Sequence, residues 1–290
     1  MLRQRDSEAE RHLIAEPQAD LPGEQDRMHP EPLSIRKSYV GSGKLSGRVA
    51  LISGADSGIG RAVAVHFARE GCDVAFLYLR EHRDARETVR LVEAEGRNAL
   101  SIAGDAKNEA HCRKAVNRVV AELGRLDILV NNLARQEVQK KPEAITAAQL
   151  RRTFENNVYP YFHLTRHALQ HIPRGGCIIN TGSVTSFRGH EELIDYASTK
   201  GAIESFTYSL AQNLAPRGIR VNGVAPGPVW TPLVVASFSK KRLEEFGKHT
   251  LLKRAGQPAE VAPAYVYLAS EDASYVTGQF VHVNGGGFIG

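Results

Sequence analysis

Short apolar runs alternate with longer stretches of helical periodicity along most of this chain. From Lys44 to the C-terminus, each apolar run is followed by a polar turn and then by a helical stretch. The runs are almost continuously apolar, which is typical of parallel strands that are buried on both faces of a sheet. We therefore predict an α/β fold, a doubly wound parallel sheet of about seven strands with helices on both faces.

The same pattern gives approximate bounds for the elements. Gly71, Gly96, Gly124 and Gly218 follow predicted helices, as glycine often does. The predicted strands cover residues 48–52, 74–79, 98–103, 128–130, 177–180, 220–224 and 280–283. The first predicted helix ends at residue 70. Further helices are predicted over residues 84–95, 110–123, 147–171 and 260–269, and another begins near Asp195.

Residues 1–43 show neither helical nor strand periodicity. Pro17, Pro22, Pro30 and Pro32 interrupt a polar, charge-rich stretch with too little apolar surface to offset the entropy of ordering it. We predict a flexible or extended N-terminal arm over residues 1–43, ordered in part against a neighbouring subunit. Its segment 34–42 is the part best suited to docking, and residues 44–290 form a single domain.

Composition restricts the cellular setting. No apolar run approaches the ~18 residues that span a membrane, and the acidic start is neither a secretory nor a transit signal. Cys72, Cys112 and Cys177 are odd in number, widely spaced and without a CxxC pattern. This favours a reducing compartment over a disulfide framework or a zinc site, so we predict a cytoplasmic protein.

Charge is unevenly distributed along the chain. The net charge is +5, but residues 1–32 hold eight acids and four arginines, so the excess of basic residues lies in the rest of the chain. Such an excess suits anionic small molecules such as nucleotides, and also nucleic acid. No basic run is interleaved with aromatic residues, which makes nucleic acid the weaker alternative.

A glycine-rich turn joins the first predicted strand to the first helix. Gly54 permits a tight turn, Gly58 lets the backbone approach phosphates, and Gly60 lets the helix pack close to the strand. The N–H groups and the positive end of the helix then favour an anion. The spacing is G-x-x-x-G-x-G rather than the common G-x-G-x-x-G, so its place between strand and helix carries the prediction of a dinucleotide site.

Tyr196 and Lys200 are spaced to share one face of a helix. Lowering a tyrosine pKa from ~10 to roughly 7.5 takes about 3.4 kcal/mol. A lysine charge at ~4 Å in partly buried surroundings supplies about 4 kcal/mol. The pair could therefore transfer protons near neutral pH, although Tyr and Lys at this spacing are by themselves more often a helix surface.

These motifs together resemble the short-chain dehydrogenase/reductase family. The shared motifs are the three glycines, Asn131-Asn132, Ser183, Tyr196-x-x-x-Lys200 and Pro226-Gly227, in the family's order over residues 45–290. Residues 56–63 and 225–232 are also similar to a bacterial subgroup of glucose and general-stress dehydrogenases with an N-terminal extension. The resemblance implies a Rossmann-like, NAD(P)-dependent oxidoreductase that interconverts an alcohol and a carbonyl in a small aldehyde, ketone or sugar.

The resemblance also assigns roles to residues. It implies that Tyr196 is the acid/base, that Lys200 lowers its pKa and binds the nicotinamide ribose, and that Ser183 holds the substrate oxygen. Asn157 matches an asparagine that anchors a water in the proton relay, although Asn156 beside it leaves the register open. The expected cofactor-binding residues are Gly54, Asp56, Ser57, Gly58, Ile59, Gly60, Tyr78, Arg80, Asp105, Ala106, Asn132, Tyr196, Lys200, Pro226, Gly227, Val229 and Thr231. For Asp105, a turn or helix cap is an equal alternative.

The end of the second strand bears on cofactor choice. An acid there binds the ribose 2′-hydroxyl of NAD, but this chain has Tyr78, and the next acid is Glu81. Arg80 is near enough to pair with a 2′-phosphate, which favours NADP, while the glycine loop has Ser57 where NADP-binding relatives have arginine. Ser53 and Leu133 also depart from the family; Ser53 keeps a hydroxyl, and Leu133 is expected to crowd the cofactor or repack the sheet edge.

Two further segments have open interpretations. Residues 228–250 match the family's substrate lid, with Trp230, Leu233, Val234, Val235 and Phe238 as an apolar cover. Arg188, Glu191, Glu192 and Gln136 either bind a polyol or are merely solvated. His163, His167 and His171 share one helical face; a structural role is favoured over a metal site, because no carboxylate or cysteine accompanies them.

Three functional hypotheses remain in view. The favoured one is the oxidoreductase, expected to act on a small molecule as a homotetramer without nucleic-acid or membrane partners. An NADP-binding sensor or scaffold without turnover is expected to lose Tyr196, Lys200 or Ser183. A lyase on the same scaffold is expected to change the glycine loop. All of these residues are present here.

Overall fold

The chain alternates strands and helices as predicted; the computed structural model describes residues 13–290. The strands in this range are β1 Val49–Ser53, β2 Asp73–Tyr78, β3 Ala99–Ala103, β4 Ile128–Asn131, β5 Cys177–Thr181, β6 Arg220–Pro226 and β7 Phe280–Val283. The helices are α1 Gly58–Arg69, α2 His82–Ala94, α3 Glu109–Leu123, α4 Ala147–Asn157, α5 Tyr159–Ala168, α6 Val184–Arg188, α7 Ile194–Leu214, α8 Pro232–Val235, α9 Lys240–Glu244 and α10 Pro258–Ala269. Between Leu13 and Gly290, no helix combines the length and apolarity needed to cross a membrane.

The strands form one parallel sheet in the order β3-β2-β1-β4-β5-β6-β7. The direction of winding reverses between β1 and β4. In open α/β sheets, ligands bind outside the carboxyl ends of the strands at such a switch point. The doubly wound Rossmann-like fold is confirmed, and the ends of β1 and β4 mark where a ligand is expected.

Helices cover both faces of the sheet, which explains the continuously apolar strands. Ala50 and Ile52 of β1 pack into a core with α1 and α10, where Phe67 and Tyr265 are fully buried. Leu51, between them in sequence, packs on the opposite face with residues of α3, α5 and α7. Because successive strand residues point to opposite faces, both sets must be apolar.

The predicted single helix over residues 147–171 is wrong at its middle and its end. α4 stops at Asn157 and α5 starts at Tyr159; Val158 between them stays in the right-handed helical region, but its φ of −109° is far from the regular helical value. Pro160 explains the break, because proline has no N–H and its ring clashes with the carbonyl four residues earlier in a helix. α5 ends at Ala168, so His171 lies beyond it.

The described part of the predicted arm lies against its own chain. In segment 34–42 the Tyr39 hydroxyl donates to Glu70 of the same chain at 2.5 Å, and ordering against a neighbouring subunit stays a prediction. Docking continues further upstream, because Trp230 Nε1 donates to the carbonyl of Pro30 at 2.9 Å. Residues 1–12 lie outside the described range, and the division of the chain at residue 43 stays a prediction.

Candidate active site

A cavity of about 770 Å³ opens at the carboxyl ends of the central strands. Most residues predicted for the site line it: Gly54, Asp56, Ser57, Gly58, Ile59, Tyr78, Asp105, Ala106, Asn132, Ser183, Tyr196, Lys200, Pro226, Gly227, Val229 and Thr231. The structure thus brings together parts of the chain that are distant in sequence. Gly60, Arg80 and Asn157 are the predicted residues that do not line the cavity.

The glycine-rich turn has the conformation expected of it. Gly54 and Gly58 have φ values of +68° and +54°, which favour glycine. A Cβ on Gly60 would lie 2.0 Å from the carbonyl oxygen of Gly54, so Gly60 permits close helix–strand packing rather than facing the cavity. α1 begins at Gly58, and its first N–H groups have no acceptor within the helix.

Asn132 ties this turn to the neighbouring strands. Its side-chain amide donates to the carbonyl of Gly54 at 2.9 Å, and its backbone N–H donates to Ser53 Oγ at 2.9 Å. Its Oδ1 accepts a bond from the hydroxyl of Thr181 at 3.2 Å. Ser53 thus keeps the hydroxyl contact expected of it. Leu133 lines the cavity, and its Cβ would be 3.1 Å from a Cβ on Gly54.

Tyr196, Ser183 and Lys200 meet at one wall of the cavity. α7 carries Tyr196 and Lys200 on the same face, and both side chains are buried. The Tyr196 hydroxyl lies beside Ser183, whose side chain also caps α6. Lys200 Nζ donates to the carbonyl oxygen of Thr181 at 2.8 Å and lies 5.6 Å from the centre of the Tyr196 ring.

Burial dominates the pKa of both groups. It raises the pKa of Tyr196 to about 12, an effect that the neighbouring Ser183 partly opposes. It lowers the pKa of Lys200 to about 7. The expectation that Lys200 brings the pKa of Tyr196 near neutrality is therefore wrong for this geometry, because desolvation wins and the ammonium bonds Thr181 instead of the phenol.

Asn157 holds two elements together beside the cavity. Its side chain accepts a bond from the N–H of Arg135 at 2.7 Å and donates to the carbonyl of Arg135 at 2.8 Å. It also donates to Thr199 Oγ1 of α7 at 3.1 Å. Asn157 is fully buried, and its neighbour Asn156 lines the cavity instead. Its contacts therefore position α7 against the loop after β4.

Asp195 is a positioning residue that the sequence analysis missed. Its Oδ1 accepts the N–H of Tyr196 at 2.9 Å, and its Oδ2 accepts bonds from Thr153 Oγ1 at 2.7 Å and Gln149 Nε2 at 3.0 Å. The carboxylate lies buried in the first turn of α7, where the helix dipole favours negative charge. An acid directly before Tyr196 was a visible signal, but its partners on α4 were not.

At the end of β2 the structure brings Glu81, not Arg80, into the cavity. The guanidinium of Arg80 lies outside, 3.3 Å from the carbonyl of Leu21 and 3.3 Å from the Glu81 carboxylate. The side chain of Arg80 is 63% exposed, whereas that of Glu81 is 6% exposed and lines the cavity. Burial and the charge of Glu81 raise the pKa of Asp56 to about 7.

Some side chains of the predicted lid line the cavity, and others contact the arm. Leu233, Val234 and Phe238 line the cavity. Trp230 and Val235 do not, so their predicted place in the cover is wrong; Trp230 bonds Pro30, and the carbonyl of Val235 accepts the N–H of Gln18 at 2.9 Å. Of the polar candidates, Arg188 and Gln136 line the cavity, and Glu191 and Glu192 do not.

The histidine stripe has no partners that complete a metal site within residues 13–290, where no three His, Cys, Asp or Glu side chains group as metal ligands. His167 Nε2 lies 3.4 Å from Glu109, and His163 is close to the ring of Tyr159.

A glycine-rich turn at the switch point of a parallel sheet, with its helix starting at the cavity, defines a dinucleotide-binding protein. The loop carries no side chain at Gly58, where an added Cβ would lie 3.3 Å from Thr231 of the cavity wall. Its backbone is therefore free to approach a pyrophosphate, and NAD(P) fits the residues present.

Comparison with known proteins gives the family. A family model described as enoyl-(acyl carrier protein) reductase matches residues 54–287. The chain is 53% identical to the uncharacterized oxidoreductase YhdF of Bacillus subtilis, over 92% of this chain and 93% of that one. It is 45% identical to the glucose and ribitol dehydrogenase of Daucus carota, over 94% and 96%. A short-chain dehydrogenase from Burkholderia cenocepacia, crystallised with NADP, matches with a TM-score of 0.79 and 31% identity, over 84% of this chain and 98% of that one.

The chain belongs to the short-chain dehydrogenase/reductase family, as the resemblance implied. It is an NAD(P)-dependent oxidoreductase of the class that acts on CH–OH groups.

Replacing Asp195 by Ala tests its positioning role. Buried acceptors of Thr153, Gln149 and the Tyr196 N–H are removed, so we expect kcat to fall about tenfold while the KM for NADPH changes little. The matched control is Ser198→Ala, which removes a hydroxyl from the exposed face of α7. Steady-state kinetics with wild-type kcat in Asp195→Ala would show that Asp195 does not position the tyrosine.

Proposed function

We propose that the protein interconverts an alcohol and a carbonyl in a small aldehyde, ketone or sugar by hydride transfer, with Tyr196 as the acid/base. The observation that carries this proposal is that Tyr196 and Ser183 meet at the cavity wall, with Lys200 on the next turn of α7. The name of the carrot relative, a glucose and ribitol dehydrogenase, supports a polyol or sugar as one substrate class.

The bound nicotinamide supplies or accepts the hydride. In reduction, Ser183 holds the carbonyl oxygen and Tyr196 donates its proton to that oxygen. In oxidation, the phenolate of Tyr196 takes the proton of the alcohol. Because burial raises the pKa of Tyr196, the phenol carries its proton at neutral pH, which favours carbonyl reduction there.

Lys200 supports the phenolate that forms when Tyr196 gives up its proton. A protonated ammonium near the ring favours the charged phenolate, and the bond to Thr181 holds the ammonium in place. Asn157 orients α7 through Thr199 and Arg135, and a relay of protons from it to solvent stays a prediction.

The proposed cofactor preference is NADP over NAD. Tyr78 rather than an acid ends β2, and the Burkholderia relative was crystallised with NADP. Glu81 in the cavity opposes this preference, since an acid suits the ribose hydroxyl of NAD. Arg80 would have to leave Leu21 and Glu81 to meet a 2′-phosphate, and its exposed side chain has room to do so.

A homotetramer in the cytoplasm remains part of the proposal. Tyr159 and Phe162 on α5 and Tyr208 on α7 are large apolar side chains at the surface of the described chain, which supports contacts between subunits through these helices. Light scattering after size-exclusion chromatography measures the state directly.

Tyr196→Phe separates chemistry from binding. It removes the proton but keeps the ring, so we expect near-normal nucleotide binding and activity lower by at least ~10². Absorbance at 340 nm, with NADPH and NADH against sugars, small aldehydes and diketones, provides the assay. Tyr275→Phe, at a fully exposed tyrosine, is the control. Substantial turnover by Tyr196→Phe would refute the mechanism.

The rates of carbonyl reduction and alcohol oxidation should change with pH in opposite directions. Reduction needs the protonated phenol, so its rate should hold through neutral pH and fall only as the medium approaches the raised pKa of Tyr196. Oxidation needs the phenolate and should rise with pH over the same range. An oxidation optimum at or below pH 7 would contradict this assignment.

Arg80→Ala tests the proposed cofactor contact. If Arg80 pairs with the 2′-phosphate, kcat/KM for NADPH should fall by at least about tenfold relative to NADH, the order of a charge-assisted bond. Arg83→Ala, which replaces an 80% exposed arginine in the first turn of α2, should leave the ratio unchanged. An unchanged ratio in Arg80→Ala as well would remove Arg80 from the site.

A further inference from the structure

A buried glutamine of the arm contacts the glycine loop directly. Gln25 is fully buried, and its Oε1 accepts the backbone N–H of Gly58 at 2.7 Å. The backbone N–H of Gln25 donates to Asp84 Oδ2 at 2.7 Å, which also holds the arm against α2. The glutamine therefore sits between the loop and the helix that follows β2.

Gln25 caps the N-terminus of α1 in place of the residue that precedes the helix. Gly58 is the first residue of α1, and Ser57, in the N-cap position, makes no side-chain cap bond. The first N–H groups of a helix need an acceptor from outside it, usually the side chain of the N-cap residue. Here the acceptor comes from 33 residues upstream.

A second contact fastens the same two segments. Arg61 of α1 is 1% exposed and donates to the carbonyl of Asp56 at 2.7 Å and to Asp84 Oδ1 at 3.0 Å. Its Nη1 donates to the carboxylate of Glu31 in the arm at 3.3 Å. Loop, α1, α2 and arm are thus joined through one buried cation.

The arm also forms part of the cavity wall. Leu21, Pro22 and Gly23 line the cavity together with the residues of the glycine loop. Leu21 accepts the bond from Arg80 at the end of β2, so this wall begins at the side of the cavity where Tyr78 and Glu81 lie.

At its other side the arm supports the lid. A Cβ on Gly23 would lie 2.6 Å from the carbonyl oxygen of Pro232, so only glycine allows this approach. Ala15 and Met28 of the arm share an apolar cluster with Trp230, Val234, Val235, Phe238 and Tyr196. The arm therefore spans the cavity from β2 to α8.

We propose that residues 18–31 are a functional part of the nucleotide site, in which Gln25 positions the phosphate-binding loop and Leu21 to Gly23 close over the bound dinucleotide. The arm retains the cofactor and takes no part in proton transfer. This goes beyond the proposed reaction and predicts an effect on cofactor binding alone.

Gln25→Met is the test, because it keeps the side-chain volume and removes the acceptor. We expect the Kd for NADPH, measured by isothermal titration calorimetry, to rise about fivefold or more, as loss of a helix cap implies. The KM for NADPH should rise in parallel, with kcat unchanged. Arg27→Ala, in the same turn but 68% exposed and paired with Glu24, is the matched control and should bind like the wild type.

Gly23→Ala provides an independent variant. It displaces the arm from the lid without touching the glycine loop, so the NADPH dissociation rate in stopped-flow should rise. This variant decides the question if Gln25→Met fails to fold. Wild-type Kd and dissociation rate in the folded variants, or a loss of kcat with unchanged Kd, would overturn the proposal.

Discussion

The bond from Lys200 to the carbonyl of Thr181 is the contact on which the site depends. A buried ammonium needs a polar partner, and this carbonyl at the end of β5 is the one that Lys200 reaches. The bond fixes α7 against the sheet and thereby sets Tyr196 beside Ser183, which follows the same strand. Thr181 also bonds Asn132, which holds the carbonyl of Gly54. The end of β5 thus contacts both the residues proposed for proton transfer and the loop proposed to bind phosphate.

Burial gives this site its chemical character. Enclosing the phenol and the ammonium together raises the pKa of one and lowers that of the other, so both tend toward their neutral forms. A neutral phenol at neutral pH is a proton donor, which suits carbonyl reduction. Asp195 and Asn157 contribute by orienting α7, since their side chains bond α4 and the loop after β4.

The sequence was sufficient for the parts that depend on local chemistry. Apolar strand runs gave the parallel sheet, and the spacings of Gly54 to Gly60 and of Tyr196 to Lys200 gave the two halves of the site. The break before α5 was missed, although Pro160 signals it, because proline disfavours a helix interior. What could not be read depends on tertiary contacts. Trp230 turns toward the arm and Arg80 lies outside the cavity because of backbone carbonyls at Pro30 and Leu21, which no residue pattern reveals.

A crystal structure of the protein with NADPH bound tests the central claim most directly. The account predicts the pyrophosphate at the start of α1, the nicotinamide between Pro226-Gly227 and Tyr196, and residues 21–23 of the arm in contact with the dinucleotide. A dinucleotide bound away from the end of β5, with the nicotinamide out of reach of Tyr196, would contradict it.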